Sequence, residues 1–455
     1  MSGWPSSGRW RKSSSLLTEI LSADWVLPVS SPPIERGAIA IENGRILAVG
    51  TAAELGEGTC YSDAVILPGF VNAHSHLEYA VYAGFGDGLP FGPWIALHTE
   101  RKGYIVFDEM VDIARLGAAE CLASGITTVG DASFSGASAV ACSDLGLRAI
   151  VYLEVFGRTT EQIATRFQAN RDRLADCLTG PVLLGISPHA PYTCSLELYA
   201  AACDLGLPIV THLAESEVEQ RWVQSGEGPW RELAGFVVEP YGQTGIRALA
   251  ERGLLGPGVV AVHCVKVDIE EIALLAEHRV AVAHCPRSNA LLGCGIAPVQ
   301  ELRAAGLRVG LGTDSPASTP SFDIFDELRA AVAQARLRSE QPDAMSAASA
   351  LELATLGAAS ALGLDAEIGS LEPGKVADLS VVSLAGSPFL PWEDPTVALV
   401  LGGSRDRVLT TLVGGKVRYE RGAFEWHELQ QRGRSARGRL LALTSSAAAE
   451  APVRP

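Results

Sequence analysis

The sequence predicts an α/β protein: a (β/α)8 TIM barrel with a small β-sandwich domain built from both chain ends. Three observations predict it. Eight short apolar runs, at 68–73, 126–130, 148–153, 183–187, 208–211, 259–262, 279–283 and 308–312, alternate with Ala/Leu-rich helical stretches over roughly 300 residues. Further β-type runs flank that alternation on both sides. Titratable residues gather where the eight runs end, beginning with His74 and His76.

Residues 1–15 read as a flexible tail, polar and basic, with no apolar core or small-residue cleavage site after them. Residues 16–67 form the first part of the sandwich, with runs at Trp25–Pro28, Gly37–Ile41 and Arg45–Gly50. Asn43-Gly44 between the last two is a strong two-residue hairpin signal. The barrel occupies 68–370, with helices expected at Asp112–Ser124, Leu196–Leu205, Ile269–His278 and Val299–Ala305. Residues 371–430 return to β texture at Ala377–Val382 and Val408–Val417, and 431–455 read as a C-terminal tail. Two rival architectures remain compatible with these runs: unrelated β-hairpins at the ends, and an open doubly wound sheet. No G-x-G-x-x-G follows the first strand to support the second.

At 455 residues, one large domain plus a smaller one is the expected size. Hydrophobic residues at 47% and charged residues at 19% fit a well-buried globular chain. A net charge of −16 repels phosphate backbones and anionic lipid, which excludes nucleic acid and membrane surfaces as partners. No apolar stretch is long enough to span a bilayer. The nine cysteines are scattered and include no C-x-x-C pair, the pattern of reduced thiols in a cytoplasmic protein.

In an extended segment, residues two apart face the same side, so His74 and His76 can address one point in space. Two imidazoles converging at a strand end suit zinc or ferrous iron. The fourth run leads into His189; the fifth, sixth and seventh end in His212, His263 and His284, and the eighth in Gly312-Thr313-Asp314. In a barrel these ends share one rim, where barrel enzymes place their chemistry.

With these motifs in this order, P-G-F-V-N-A-H-S-H, T-H-L-A-E, V-H-C, H-C-P-R-S-N and G-L-G-T-D-S, the sequence resembles the amidohydrolase superfamily over nearly its whole length. The resemblance implies that His74, His76, His212 and Asp314 bind one divalent metal, zinc first and ferrous iron second. Such a metal lowers the pKa of water toward neutrality. Binuclear members supply a bridging carboxylated lysine, commonly at the fourth strand end; Leu183–His189 contains none, so one metal is expected. Glu215, three residues after His212, matches the H-x-x-E glutamate that shuttles protons in the resembling deaminases. His263 matches the sixth-strand histidine that orients or polarises the water, and Asp314 joins Glu215 and His263 as a catalytic residue. Cys264 is expected to pack.

The substrate-binding candidates are His189, Glu78, Trp94, Ser288 and Asn289. His189 matches a motif in nucleoside-type deaminases, where the histidine contacts substrate. Glu78 and Trp94 are placed for a purine edge or face, with ordinary core as the other reading of Trp94. Asn289 has a second reading as a brace for Asp314 or its loop. Arg101 and Arg148 are weighed as anion contacts against surface pairing.

H-S-H-L-E, H-C-P-R-S-N-A-L-L-G-C-G and G-L-G-T-D-S-P-A-S look most like the aminodeoxyfutalosine deaminase group, whose relatives deaminate S-adenosylhomocysteine, methylthioadenosine and adenosine. The implied activity is metal-dependent hydrolytic deamination of an adenine nucleoside to its hypoxanthine form, a hydrolysis of a cyclic amidine. The alternatives are a guanine- or triazine-type aminohydrolase or chlorohydrolase, and a non-catalytic barrel assembly protein. A small-molecule substrate is the expected partner, with a homodimer left open.

Overall fold

The computed structural model describes residues 18–56, 58–230, 237–386 and 393–450, with side chains to residue 442. The expected N-terminal tail lies outside the described residues. The first strands are β1 (Glu19–Val26), β2 (Ile34–Glu35), β3 (Gly37–Glu42), β4 (Arg45–Thr51) and β5 (Thr59–Pro68). Asn43 and Gly44 both take positive φ, 52° and 76°, the geometry of a tight hairpin turn, and Glu42 pairs with Arg45 across it. A side chain at position 44 would also meet the Gly414 carbonyl oxygen at 2.6 Å, so glycine is required twice over.

Eight barrel strands follow: β6 (Phe70–Ser75), β7 (Ile126–Ser133), β8 (Arg148–Val155), β9 (Val182–Pro188), β10 (Ile209–Leu213), β11 (Val259–His263), β12 (Ala281–His284) and β13 (Arg308–Leu311). They form one all-parallel sheet in sequential order. Its two ends meet through a parallel bridge between Ser75 and Asp314 and a hydrogen bond from the Asp314 amide to the His74 carbonyl, 3.0 Å. Alternate residues, among them Val71, Ala73, Ile150, Tyr152, Val210 and Val260, fill the interior as one apolar cluster.

The last strands are β14 (Leu379–Ser383), β15 (Val408–Val413) and β16 (Lys416–Glu420). They join β1–β5 in a single eight-stranded mixed sheet through the antiparallel pair β5–β14, where Leu379 faces Pro68. Leu21, Ile39, Ile66, Val381 and Leu412, from both chain ends, share one apolar cluster. Arg148 bridges the two units, holding Asp378 at 2.8 Å, with Asp378 also accepting from the Gly414 amide. Arg148 is thus an inter-unit tie and not an anion contact. Arg101 lies over the Phe85 ring, 4.0 Å from its centroid.

Three helices position the site or depart from expectation. Helix α1 (Phe91–Lys102) follows the first barrel strand, and α2 (Phe107–Ala123) packs behind it. Residues expected as a C-terminal tail instead lie in α3 (His427–Glu450). Ala436 and Leu440 of α3 are buried with Val81, Tyr82, Phe85 and Trp94, and Arg432 pairs with Asp112 of α2 at 3.0 Å. The charged residues of this segment conceal a short apolar spacing, Ala436 and Leu440, that lies on one helical face.

Candidate active site

The rim at the C-terminal ends of the barrel strands carries the convergent histidines. Val71 and Ala73 point into the barrel, and strict alternation would send His74 away from it. The pairing of β6 with β7 slips between Asn72 and Ser75, an irregularity of the kind that re-aims side chains. His74 and His76 therefore both reach the rim centre, with ring centroids 4.7 Å apart. His212 at the end of β10 completes the cluster, 5.0 Å from the His74 ring and stacked at 5.4 Å on the His76 ring.

Asp314 closes it from the far side of the β13–β6 seam. Its Oδ1 lies 3.7 Å from His74 Nε2 and 3.6 Å from His76 Nε2. Its Oδ2 accepts from the Ser288 and Ser318 hydroxyls at 2.6 and 2.8 Å, leaving Oδ1 to face the cluster. Gly312, just before it, must be small: a Cβ there would stand 3.0 Å from the His74 Cβ and backbone nitrogen.

The tautomers follow from second partners. His76 Nδ1 lies 2.8 Å from the Ala132 carbonyl and His212 Nδ1 2.8 Å from the His189 carbonyl. Each Nδ1 therefore donates, and each Nε2 presents a lone pair inward. Those two Nε2 atoms face one another at 3.3 Å. His74 is fully buried, yet neither ring nitrogen has a hydrogen-bond partner. Two groups, His74 with His76 and Asp314 and His74 with His212 and His263, each bring three ligand atoms within 4.8 Å of one another, close enough to hold a metal ion. The protonation states agree. Burial, reinforced by His74, pushes His76 down to about 3, and burial with His189 and His74 holds His212 well below the usual range. Burial would raise the Asp314 carboxyl, but the imidazoles around it, His74 first and then His76 and His263, hold it well below the carboxylate range.

Glu215 is 4% exposed, and its carboxyl is pushed well up, first by burial and then by Asp314. Its Oε1 lies 3.5 Å from His263 Nε2. His263 Nδ1 is held by Asn289 Oδ1 at 2.9 Å, and burial lowers this imidazole to about 4. The Glu219 carboxylate accepts from the Ala214 and Glu215 amides at 2.9 and 2.7 Å and so fixes the turn that bears Glu215. Ala214, His263, Cys264 and Asp314 all adopt positive φ, 53°, 74°, 47° and 55°, conformations that cost non-glycine residues energy and collect at functional sites.

A cavity opens over this cluster. His189, Trp94, Glu215, His263 and Asp314 line it. Trp94 donates to the Ala317 carbonyl at 3.3 Å, and His189 pairs through Nδ1 with Thr193 Oγ1 at 2.8 Å. Three substrate candidates lie elsewhere. Glu78 is buried, accepting from the Ser133 and Ser135 hydroxyls and the Ala137 amide at the start of helix Ala137–Leu145. A carboxylate there caps orphan amides. Ser288 donates to Asp314 and the Asn289 Oδ1 accepts from His263, so both position other groups. His284 is buried outside the cavity lining.

The sequence reading missed Tyr79, His98, Lys102, Glu154, Phe156 and Tyr192, which also line the cavity. For α1 the signal exists: Trp94, His98 and Lys102 recur every four residues on one helical face. For Glu154 the expected strand stopped at 153, one residue short of the rim position.

A parallel barrel with a histidine-rich, metal-competent rim and a buried rim glutamate defines a class of metal-dependent barrel hydrolases. Residues 65–418 match the amidohydrolase family, and residues 37–57 match the imidazolonepropionase-like composite domain of bacteria. The chain belongs to the amidohydrolase family. It is 34% identical over 412 residues to a 5-methylthioadenosine/S-adenosylhomocysteine deaminase from Moorella thermoacetica, covering 87% of this chain and 93% of that protein. It is 32% identical over 405 residues to a 5'-deoxyadenosine deaminase from Methanothermobacter thermautotrophicus, covering 86% and 91%. The crystal structure of an adenosine deaminase from Xanthomonas campestris with bound zinc superposes with a TM-score of 0.83 at 29% identity, covering 93% of this chain and 98% of that one.

Proposed function

We propose that the protein is a hydrolytic deaminase of adenine nucleosides, of the methylthioadenosine/S-adenosylhomocysteine type, that works with one zinc ion. The observation that carries this reading is the pairing of a metal-competent cluster with Glu215, which shares the cavity and lies within reach of His263. Relatives named as adenine-nucleoside deaminases, aligned over most of the chain, support the substrate class. The nine free cysteines fit a reducing cytoplasmic setting, and no helix among the described residues is long and apolar enough to cross a membrane.

His74, His76, His212 and Asp314 would hold the metal. When bound, it supplies Lewis acidity that brings the pKa of water toward neutrality. Glu215 accepts a proton from the attacking water and places it on ring N1 as the water oxygen bonds to C6. His263 Nε2 accepts a hydrogen from the water and aims its oxygen, while Asn289 fixes the ring. A second proton passes through Glu215 from the C6 hydroxyl to the amino group. The C6–N bond then breaks, ammonia leaves, and a C6 carbonyl remains. His189 and Trp94 bind the ring system from the cavity walls.

The test is ammonia release from aminodeoxyfutalosine, S-adenosylhomocysteine, methylthioadenosine, adenosine and guanine, with bound metal counted in the same sample. Turnover of at least one adenine nucleoside with about one metal per chain is expected. Turnover of guanine alone would overturn the substrate class.

A further inference from the structure

Glu154 and Lys102 have no role in the chemistry above. Glu154 is the penultimate residue of β8 and is 2% exposed, yet its Oε2 has no hydrogen-bond partner. Such a carboxylate oxygen costs stability unless something pairs with it. It lines the same cavity as the histidine cluster, and so does Lys102 at the end of α1. The Lys102 ammonium rests 4.4 Å and 4.6 Å from the Phe134 and Phe156 ring centroids. Arg166 is committed elsewhere, donating to the Glu154 and Phe134 carbonyls at 3.0 Å each.

Position fixes which part of a substrate meets this pair. In the barrel order, β8 is separated from β10 and His212 by β9, whose end leads into His189. With the C6 of a purine at the histidine cluster and its body against His189, Glu154 and Lys102 line a part of the same cavity that is left for the sugar. Charge fixes the chemistry. A cationic group would be repelled by Lys102 and Arg166, and an anionic one, though drawn to those cations, would leave the Glu154 Oε2 facing a like charge and still unpaired. An apolar group would leave Oε2 unpaired. A neutral group that both donates and accepts satisfies both side chains.

We propose that Glu154 and Lys102 form the subsite for the vicinal hydroxyls of the sugar, Glu154 accepting from them and Lys102 donating to them, so that this chain selects ribonucleosides over sugars lacking the diol. The inference rests on the adenine-nucleoside reading of the site.

The experiment compares kcat/KM for adenosine and 2',3'-dideoxyadenosine with the metal-loaded protein and with Glu154→Gln. The wild-type protein should favour adenosine by about 10-fold or more, the usual scale for hydrogen bonds to a charged group. Glu154→Gln should lose about 10-fold on adenosine while dideoxyadenosine stays within about two-fold, so the preference collapses. Equal wild-type rates on the two sugars, or equal losses in the variant, would overturn the subsite while leaving the deaminase intact. If Glu154→Gln does not fold, Lys102→Met is read by the same ratio. A wild-type protein inert on every adenine nucleoside would overturn the function itself, and the subsite with it.

Discussion

Divalent cations bind neutral imidazole, and at His76 and His212 burial supplies that state. Burial acts on the Glu215 carboxyl in the opposite sense and raises it, with Asp314 adding to the effect. Replacing Glu215 by Gln keeps the size and removes the proton acceptor. Turnover should fall by about 100- to 10,000-fold, with metal content unchanged by elemental analysis. Activity near that of the wild type would remove Glu215 as the shuttle. At this scale the sequence showed the histidines and Asp314 as a set, because they fall at the ends of recognisable apolar runs, and Glu215 through its spacing from His212. It did not show where short-range neighbours point. Glu78, Ser288 and Asn289 sit beside rim residues along the chain, but Glu78 turns into a cap and the other two turn toward Asp314 and His263. The positive φ at His263 and the slipped register at β6 aim those side chains, and neither has a signature in residue type.

Among the elements, α1 carries both Trp94 and Lys102 into the cavity, and it is backed by the loop that α3 covers. Arg437 of α3 donates to the Val81 carbonyl, and Leu440 is fully buried. Ending the chain before His427 would uncover Val81, Tyr82 and Phe85. Losing the burial of one leucine and its neighbours costs about 3 kcal/mol, a drop of about 3 °C in a chain of this size. KM should rise more than kcat falls, because the wall bearing Trp94 shifts while the histidine cluster remains. An unchanged melting temperature and KM would make α3 dispensable. The barrel strands were legible to within a few residues because each is a short apolar run. The helix at 427–450 was not, because its few buried positions are spread among arginines and glutamates.

For the whole molecule, the barrel sheet has two ends, and they meet where the proposed ligands lie. His74 and His76 come from β6 and its end, Asp314 from just after β13, and His212 from the opposite wall. A metal there ties the seam as well as serving catalysis. Chelation should therefore lower the melting temperature as well as abolish turnover, and zinc should restore both, by about 3–4 kcal/mol when free metal exceeds its dissociation constant 100- to 1,000-fold. Lost turnover with an unchanged melting curve would place the metal off the seam. The overall architecture was legible because alternation and flanking β texture are global patterns. The pairing of the two flanks has a further consequence for synthesis. β5 pairs with β14, Ser380 facing Leu67, so it gains that neighbour only after the entire barrel has been made. At cellular translation rates that interval is on the order of tens of seconds. Throughout it, the apolar edge Ala64–Leu67 is an unpaired template for other nascent chains. The window in which this chain can aggregate is thus set by the length of the barrel it must wait for, not by the stability of the finished fold.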